Sequence, residues 1–129
     1  EESVTDQKNS LTVCLDNILR HAGITRNTEY DLAQGKTAIQ ILEENMTGVQ
    51  VLDLSGCSLD AVLYYVNQDI PVLAILEDGE AVLVTGFNEF NVVIMEPSTG
   101  KLYKKGMNDA TTWFAENGNH FISYMKIDN

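Results

Sequence analysis

The stretch ILEDGEAVLVTGF, residues 75–87, decides the fold class of this chain. Apolar and β-branched residues flank the dipeptide Asp78-Gly79, and such a pair is typical of a two-residue turn in a β-hairpin. The second predicted strand begins directly after Glu80. A carboxylate in this place is either a solvated strand end or a group positioned for chemistry, and the choice decides whether the protein is an enzyme.

Outward from the hairpin, the sequence divides into a helical half and a β-rich half. Apolar residues at helical spacing predict helices before the hairpin, and β-rich runs predict strands after it. The predicted elements are helices at 12–22, 28–34, 37–45, 59–66 and 109–116, and strands at 49–54, 72–76, 81–87, 92–95, 102–104 and 121–127. This segregation predicts an α+β fold, with N-terminal helices packed on one side of a C-terminal antiparallel sheet.

The apolar faces of these elements also predict the core. We expect much of it to come from Leu15, Ile18, Leu19, Val62, Leu63, Leu73, Ile75, Val82, Val84, Val93 and Trp113. At the start of the second helix, Thr28 and Asp31 stand in capping-box spacing.

Length and charge limit the functions that are open to this chain. Its 129 residues fit one domain, spanning 1–129. The formal net charge of −11 argues against nucleic acid as a partner and against anionic membrane surfaces. No apolar run approaches the roughly 18 residues of a membrane span. The chain begins Glu-Glu-Ser without an initiating Met, so we expect it to be a piece excised from a longer protein.

The strongest single chemical feature is Cys14, near the start of the first predicted helix. A helix N-terminus carries partial positive charge and free N–H groups, which stabilise a thiolate and can form an oxyanion hole. The simpler alternative is a small, buried cysteine. Cys14 and Cys57 are too few for a disulfide framework and are not spaced as a zinc site, and the sequence leaves open whether they form one bridge.

The order of several segments points to a known family. The segments are Gln7, Cys14, DIPVLAIL (69–76), GEAVLVTGF (79–87), IMEPSTG (94–100) and Trp113. In this order they resemble the papain-like bacteriocin-processing cysteine peptidases, which cut after double-glycine leaders, and the related peptidase-like domains of peptide-exporting transporters. The resemblance implies a papain-like fold over nearly the whole chain.

The resemblance also assigns site positions. Cys14 falls at the nucleophile, Gln7 at the approximate position of the oxyanion-stabilising side chain, and Glu96 at the Asp that orients the catalytic His. Glu80 falls where that His is expected. A Cys–His pair works because the imidazolium stabilises the thiolate and then protonates the leaving group. A carboxylate with a reference pKa of about 4.3 is a weak base at pH 7, and its charge raises the pKa of a nearby thiol.

Neither histidine of the chain is expected to replace the missing one. His21 lies seven residues beyond Cys14 on the same helix, roughly 10 Å away by helical rise. His120 opens the last strand, and the family layout does not bring that position against the nucleophile. His21 is therefore too far for a hydrogen bond to Cys14, and His120 is interpreted as a polar residue at a strand end, with replacement of the missing base by His120 as the alternative.

Three hypotheses follow. The first is a catalytically degenerate cysteine-peptidase-like domain that binds a peptide or protein segment in the former groove, without a cofactor. The second is an active cysteine peptidase, with Cys14 as nucleophile and Glu80 as a base of elevated pKa. The third is a cation site at Glu77, Asp78, Glu80, Glu89 and Glu96, although a solvated hairpin end explains the same residues more simply. By resemblance, the parent protein is expected to be bacterial and extracellular or membrane-associated.

Overall fold

The computed structural model describes residues 9–127. In chain order the elements are α1 (Ser10–His21), α2 (Glu29–Ala33), α3 (Ala38–Asn45), β1 (Val49–Asp53), α4 (Leu59–Val66), β2 (Val72–Ile75), β3 (Ala81–Phe87), β4 (Asn91–Met95), β5 (Leu102–Gly106), α5 (Met107–Glu116) and β6 (His120–Lys126). The strands form a six-stranded sheet in the order β1-β6-β2-β3-β4-β5, and all neighbouring pairs are antiparallel. The α+β prediction is confirmed. Within residues 9–127, no helix is long and apolar enough to cross a membrane.

The hairpin that decides the fold is present, but its turn is longer than predicted. β2 pairs with β3 from Val72 opposite Val84 to Ile75 opposite Ala81. Beyond them the Leu76 N–H donates to the Glu80 carbonyl (2.8 Å), which leaves three residues in the loop. Gly79 closes this loop with φ +87°. The pattern matches a type I turn followed by a glycine in the left-handed region, an arrangement that favours three-residue hairpins.

Helices cover both faces of the sheet, whereas the sequence predicted them on one. Alternate residues of a strand point to opposite faces. Leu73 and Leu83 therefore pack under α1 and α3, and Val82 and Val84 pack under α4 on the other face. Phe121 of β6 joins the second cluster, where its ring meets that of Phe114 in α5 at a centroid distance of 5.3 Å.

Most of the predicted core is buried, with three exceptions. The side chains that are only partly buried are Ile75, Val93 and Trp113. In β4 the fully buried side chains are Val92 and Ile94, so Val93 points to the other face, beside the irregular register between Val84 and Gly86. The predicted phase of this strand was therefore wrong by one residue.

One predicted cap is also wrong. The Thr28 side chain does not cap α2. Its hydroxyl and its backbone N–H instead donate to Asp16 Oδ1, both at 2.9 Å, and Asp31 forms an ion pair with Arg26 at 2.9 Å. A tertiary contact between α1 and the start of α2 has taken the place of the local capping box.

Two leucines test this arrangement as a matched pair. Leu73 on β2 is fully buried, and Leu102 on the edge strand β5 is 61% exposed. We expect Leu73→Ala to lower the free energy of unfolding by about 2–5 kcal/mol, because it leaves a cavity between sheet and helices. Leu102→Ala should change it by less than about 0.5 kcal/mol. Urea unfolding measures both, and equal losses would contradict the central placement of β2.

Candidate active site

A cleft of about 890 Å³ lies where three parts of the chain meet. They are the start of α1, the β2–β3 loop and the turn after β4. Its polar lining includes Ser10, Asp78, Glu80 and Glu96, and its apolar lining includes Val13, Leu76, Val82 and Trp113. The cleft thus combines carboxylates with an apolar floor, as ligand sites commonly do.

Ser10 is the first residue of α1, and its hydroxyl joins the helix to the hairpin. Asn9 is the N-cap, and its side chain accepts a hydrogen bond from the Thr12 N–H at 2.8 Å. Ser10 Oγ donates to Glu80 Oε1 at 2.7 Å and accepts from the Ala81 N–H at 2.8 Å. The hydroxyl therefore uses its one donor and an acceptor site in contacts across the cleft.

Glu80 is held by its backbone as well as by Ser10. Its N–H donates to Asp78 Oδ1 at 2.9 Å, and its carbonyl accepts from Leu76. The Asp78 side chain thereby shapes the turn. These contacts hold Glu80 at the mouth of the cleft, where its carboxylate accepts a hydrogen bond from Ser10 in the first turn of α1.

Glu96 lies in the same cleft but has a local partner. It follows β4 and precedes the buried Pro97. Its Oε2 accepts from the Ser98 hydroxyl at 3.1 Å, and its N–H donates to the Lys101 carbonyl at 2.8 Å. Burial raises the pKa of Tyr103 in the cleft wall, and the negative charge of Glu96 raises it further. Glu80 and Glu96 thus line the same cleft.

Cys14 does not line this cleft. It lies one helical turn beyond Ser10, is 0% exposed and packs in the apolar cluster of α1 and α3 with the sheet. Burial raises the pKa of its thiol to about 12, and the Glu96 carboxylate adds to the rise. The sequence anticipated a raised pKa from acidic neighbours, whereas removal from water is the larger cause. Cys14 and Cys57 are both free, so no bridge joins them.

The other residues considered from the sequence are Gln7 and the two histidines. Gln7 lies outside the described residues. His21 faces the Asp69 carbonyl, with its Nε2 at 2.9 Å. His120 pairs with Ile75 in the sheet and lines a separate depression beside Asp53. Neither histidine lines the cleft.

The cation-site hypothesis finds no support in the described part of the chain. Within residues 9–127, no three His, Cys, Asp or Glu side chains are grouped to hold a metal ion. Glu89 is not part of the cleft wall that contains Asp78, Glu80 and Glu96.

Sequence reasoning missed Ser10 as a site residue, although a signal for it exists. Residues four apart on a helix share one face. Ser10 therefore stands above Cys14 on the face that meets the sheet, one turn nearer the N-terminus. The sequence placed the helix start at 12 rather than at 10, and so put Cys14 too near that start.

Comparisons with known proteins support the fold. No protein-family model matches the chain, and no curated protein matches it. A crystal structure described as that of a C39-like peptidase from Bacillus anthracis is similar, with a TM-score of 0.76 and 17% sequence identity. The match covers 96% of this chain and 91% of that chain. At this identity the likeness shows the fold alone, and that fold is C39 peptidase-like.

Alkylation tests the state of Cys14. Because its pKa is raised to about 12, its reaction with iodoacetamide should still be accelerating above pH 9. Cys57, which is partly exposed, serves as the reference thiol in the same sample. Peptide mapping after timed reaction gives both rates. A pH-independent rate at Cys14 between pH 5 and pH 7 would show a stabilised thiolate and contradict the buried, protonated thiol.

Proposed function

We propose that this chain is a catalytically degenerate cysteine-peptidase-like domain that binds a peptide segment in its cleft. The observation that carries the proposal is the 2.7 Å hydrogen bond between Ser10 and Glu80. A cysteine peptidase needs a thiolate and an imidazolium at such a place. Here a hydroxyl and a carboxylate stand together at the mouth of the cleft, while the nearest thiol is buried.

The Ser10–Glu80 pair is poorly suited to replace the missing chemistry. A carboxylate is a weak acceptor for a serine proton at neutral pH. The Ala81 N–H also donates to the same hydroxyl oxygen and draws electron density from it. Asp78 and Glu96 add negative charge to the cleft. Negative charge that develops on a substrate carbonyl would be repelled there, which is the reverse of an oxyanion hole.

The cleft remains suited to binding. Its volume of about 890 Å³ can accept several side chains, and Val13, Leu76 and Val82 offer apolar contacts. Lysine and arginine have apolar stems and charged ends, so they fit a carboxylate rim above an apolar floor. One face of the Trp113 ring already has Lys105 Nζ 4.7 Å from its centroid, so the carboxylates rather than this ring would attract the cation. We therefore expect a preference for basic peptides.

Trp113 reports directly on peptide binding in the cleft, because it is the chain's one tryptophan and lines the cleft. We expect its fluorescence to change with a capped octapeptide of alternating Lys and Ala. The matching Glu and Ala peptide should bind at least about tenfold more weakly, and the difference should shrink in high salt. Mass spectrometry of the bound peptide after incubation at acidic and neutral pH should find it intact.

Two double variants distinguish binding in the cleft from the general attraction of a basic peptide to an acidic protein. Glu80→Gln with Glu96→Gln should remove most of the preference, and Glu29→Gln with Glu43→Gln makes the same charge change on exposed helix surface. Equal effects of the two pairs, or no response of Trp113 to either peptide, would contradict binding in the cleft. Recovery of cleaved peptide would contradict the loss of catalysis.

A further inference from the structure

We propose that Ser10, and not Cys14, occupies the nucleophile position of this site, so that the Ser10–Glu80 hydrogen bond replaces a nucleophile–base pair. This inference rests on the proposed degenerate peptidase function and deepens it, because it names both members of the lost pair. The chain is then degenerate at two positions rather than one.

Ser10 lies within hydrogen-bond distance of the residue at the base position. A nucleophile and its base must lie within hydrogen-bond distance, about 2.6–3.2 Å. Ser10 Oγ is 2.7 Å from Glu80 Oε1. The resemblance places the base at Glu80, and the side chain that meets it is therefore the nucleophile's counterpart.

Ser10 is accessible to a substrate in the cleft, whereas Cys14 is not. A nucleophile has to meet a substrate in the cleft, and Ser10 lines that cleft. Cys14 is 0% exposed and packs among apolar side chains such as Leu83. A substrate carbonyl could approach it only if α1 moved off the sheet.

Ser10 also has the more favourable position in the helix. It is the first residue of a 12-residue helix, where the dipole and the free N–H groups favour an anion. Cys14 lies beyond the first turn, where the backbone N–H groups are engaged in helical hydrogen bonds and the dipole effect has fallen off. A thiolate would be stabilised at position 10 and not at position 14.

If Ser10 occupies the nucleophile position, two substitutions should create a reactive thiol there. In Ser10→Cys the new thiol faces Glu80, so the pH at which its iodoacetamide reaction reaches half its maximal rate should be at or above about 8.5. In Ser10→Cys with Glu80→His this midpoint should fall by at least about one pH unit, since an imidazolium replaces a carboxylate beside the sulfur. Ser10→Cys with Glu80→Gln should lie between the two.

Fragmentation of the tryptic peptide 9–20 separates the new thiol from Cys14 and gives each rate. Ser58→Cys is a control, because Ser58 is the N-cap of α4, one helix position before that of Ser10 in α1, and its thiol measures the effect of a helix start without Glu80. Adding Glu80→His to Ser58→Cys should leave its midpoint unchanged. A Cys14 rate that stays at its wild-type value at each pH shows that the core is intact.

Each other outcome counts against the inference. Equal midpoints at position 10 with Glu, Gln and His at position 80 would show that the two side chains do not face one another. A midpoint that moves at Cys14 instead would return the nucleophile position to Cys14. If the His variant opens the core, the comparison of Glu with the near-isosteric Gln still decides the matter. Peptide binding is measured by Trp113 fluorescence on the wild-type protein, whereas the thiol midpoints are measured on the variants without peptide, so the two proposals fail separately.

Discussion

The contact between the start of α1 and the β2–β3 hairpin is the constraint on which the site depends. One hydroxyl, that of Ser10, bonds both to the Glu80 carboxylate and to the first N–H of β3. Because a helix repeats every 3.6 residues, this contact fixes which side chains of α1 face the sheet. Val13 then lines the cleft and Cys14 lies in the core. The rotation of one helix thus determines which residue is available for chemistry.

The regular elements were predictable because their signals are local. The alternation around Asp78-Gly79 identified the central hairpin, and Gly23 follows α1 at φ +86°, in the left-handed conformation that commonly ends a helix. The errors arose where tertiary contacts decide. The Thr28 hydroxyl donates to Asp16 instead of capping α2, and β4 pairs with β3 across a register shift between Val84 and Gly86. No periodicity within a single segment contains that information.

The site was predictable only in part for a similar reason. The order of segments identified Glu80 and Glu96 as neighbours, and they do share the cleft. The position of Cys14 depended on where α1 begins, and element boundaries are the least reliable part of a sequence-based prediction. At a helix N-terminus, a shift of a few residues turns a position that stabilises negative charge into an ordinary position in the helix interior. A fold that resembles a peptidase therefore does not by itself identify a nucleophile, because function resides in the site.

A double-mutant cycle on the unfolding free energy tests the central pair most directly. It compares wild type with Ser10→Ala, Glu80→Ala and the double variant, so that the separate Ser10 contact with Ala81 cancels. A charge-assisted hydrogen bond at the edge of the cleft predicts a coupling energy of about 1 kcal/mol. Additivity to within about 0.3 kcal/mol would show that Ser10 and Glu80 do not interact, and would contradict the account of the site.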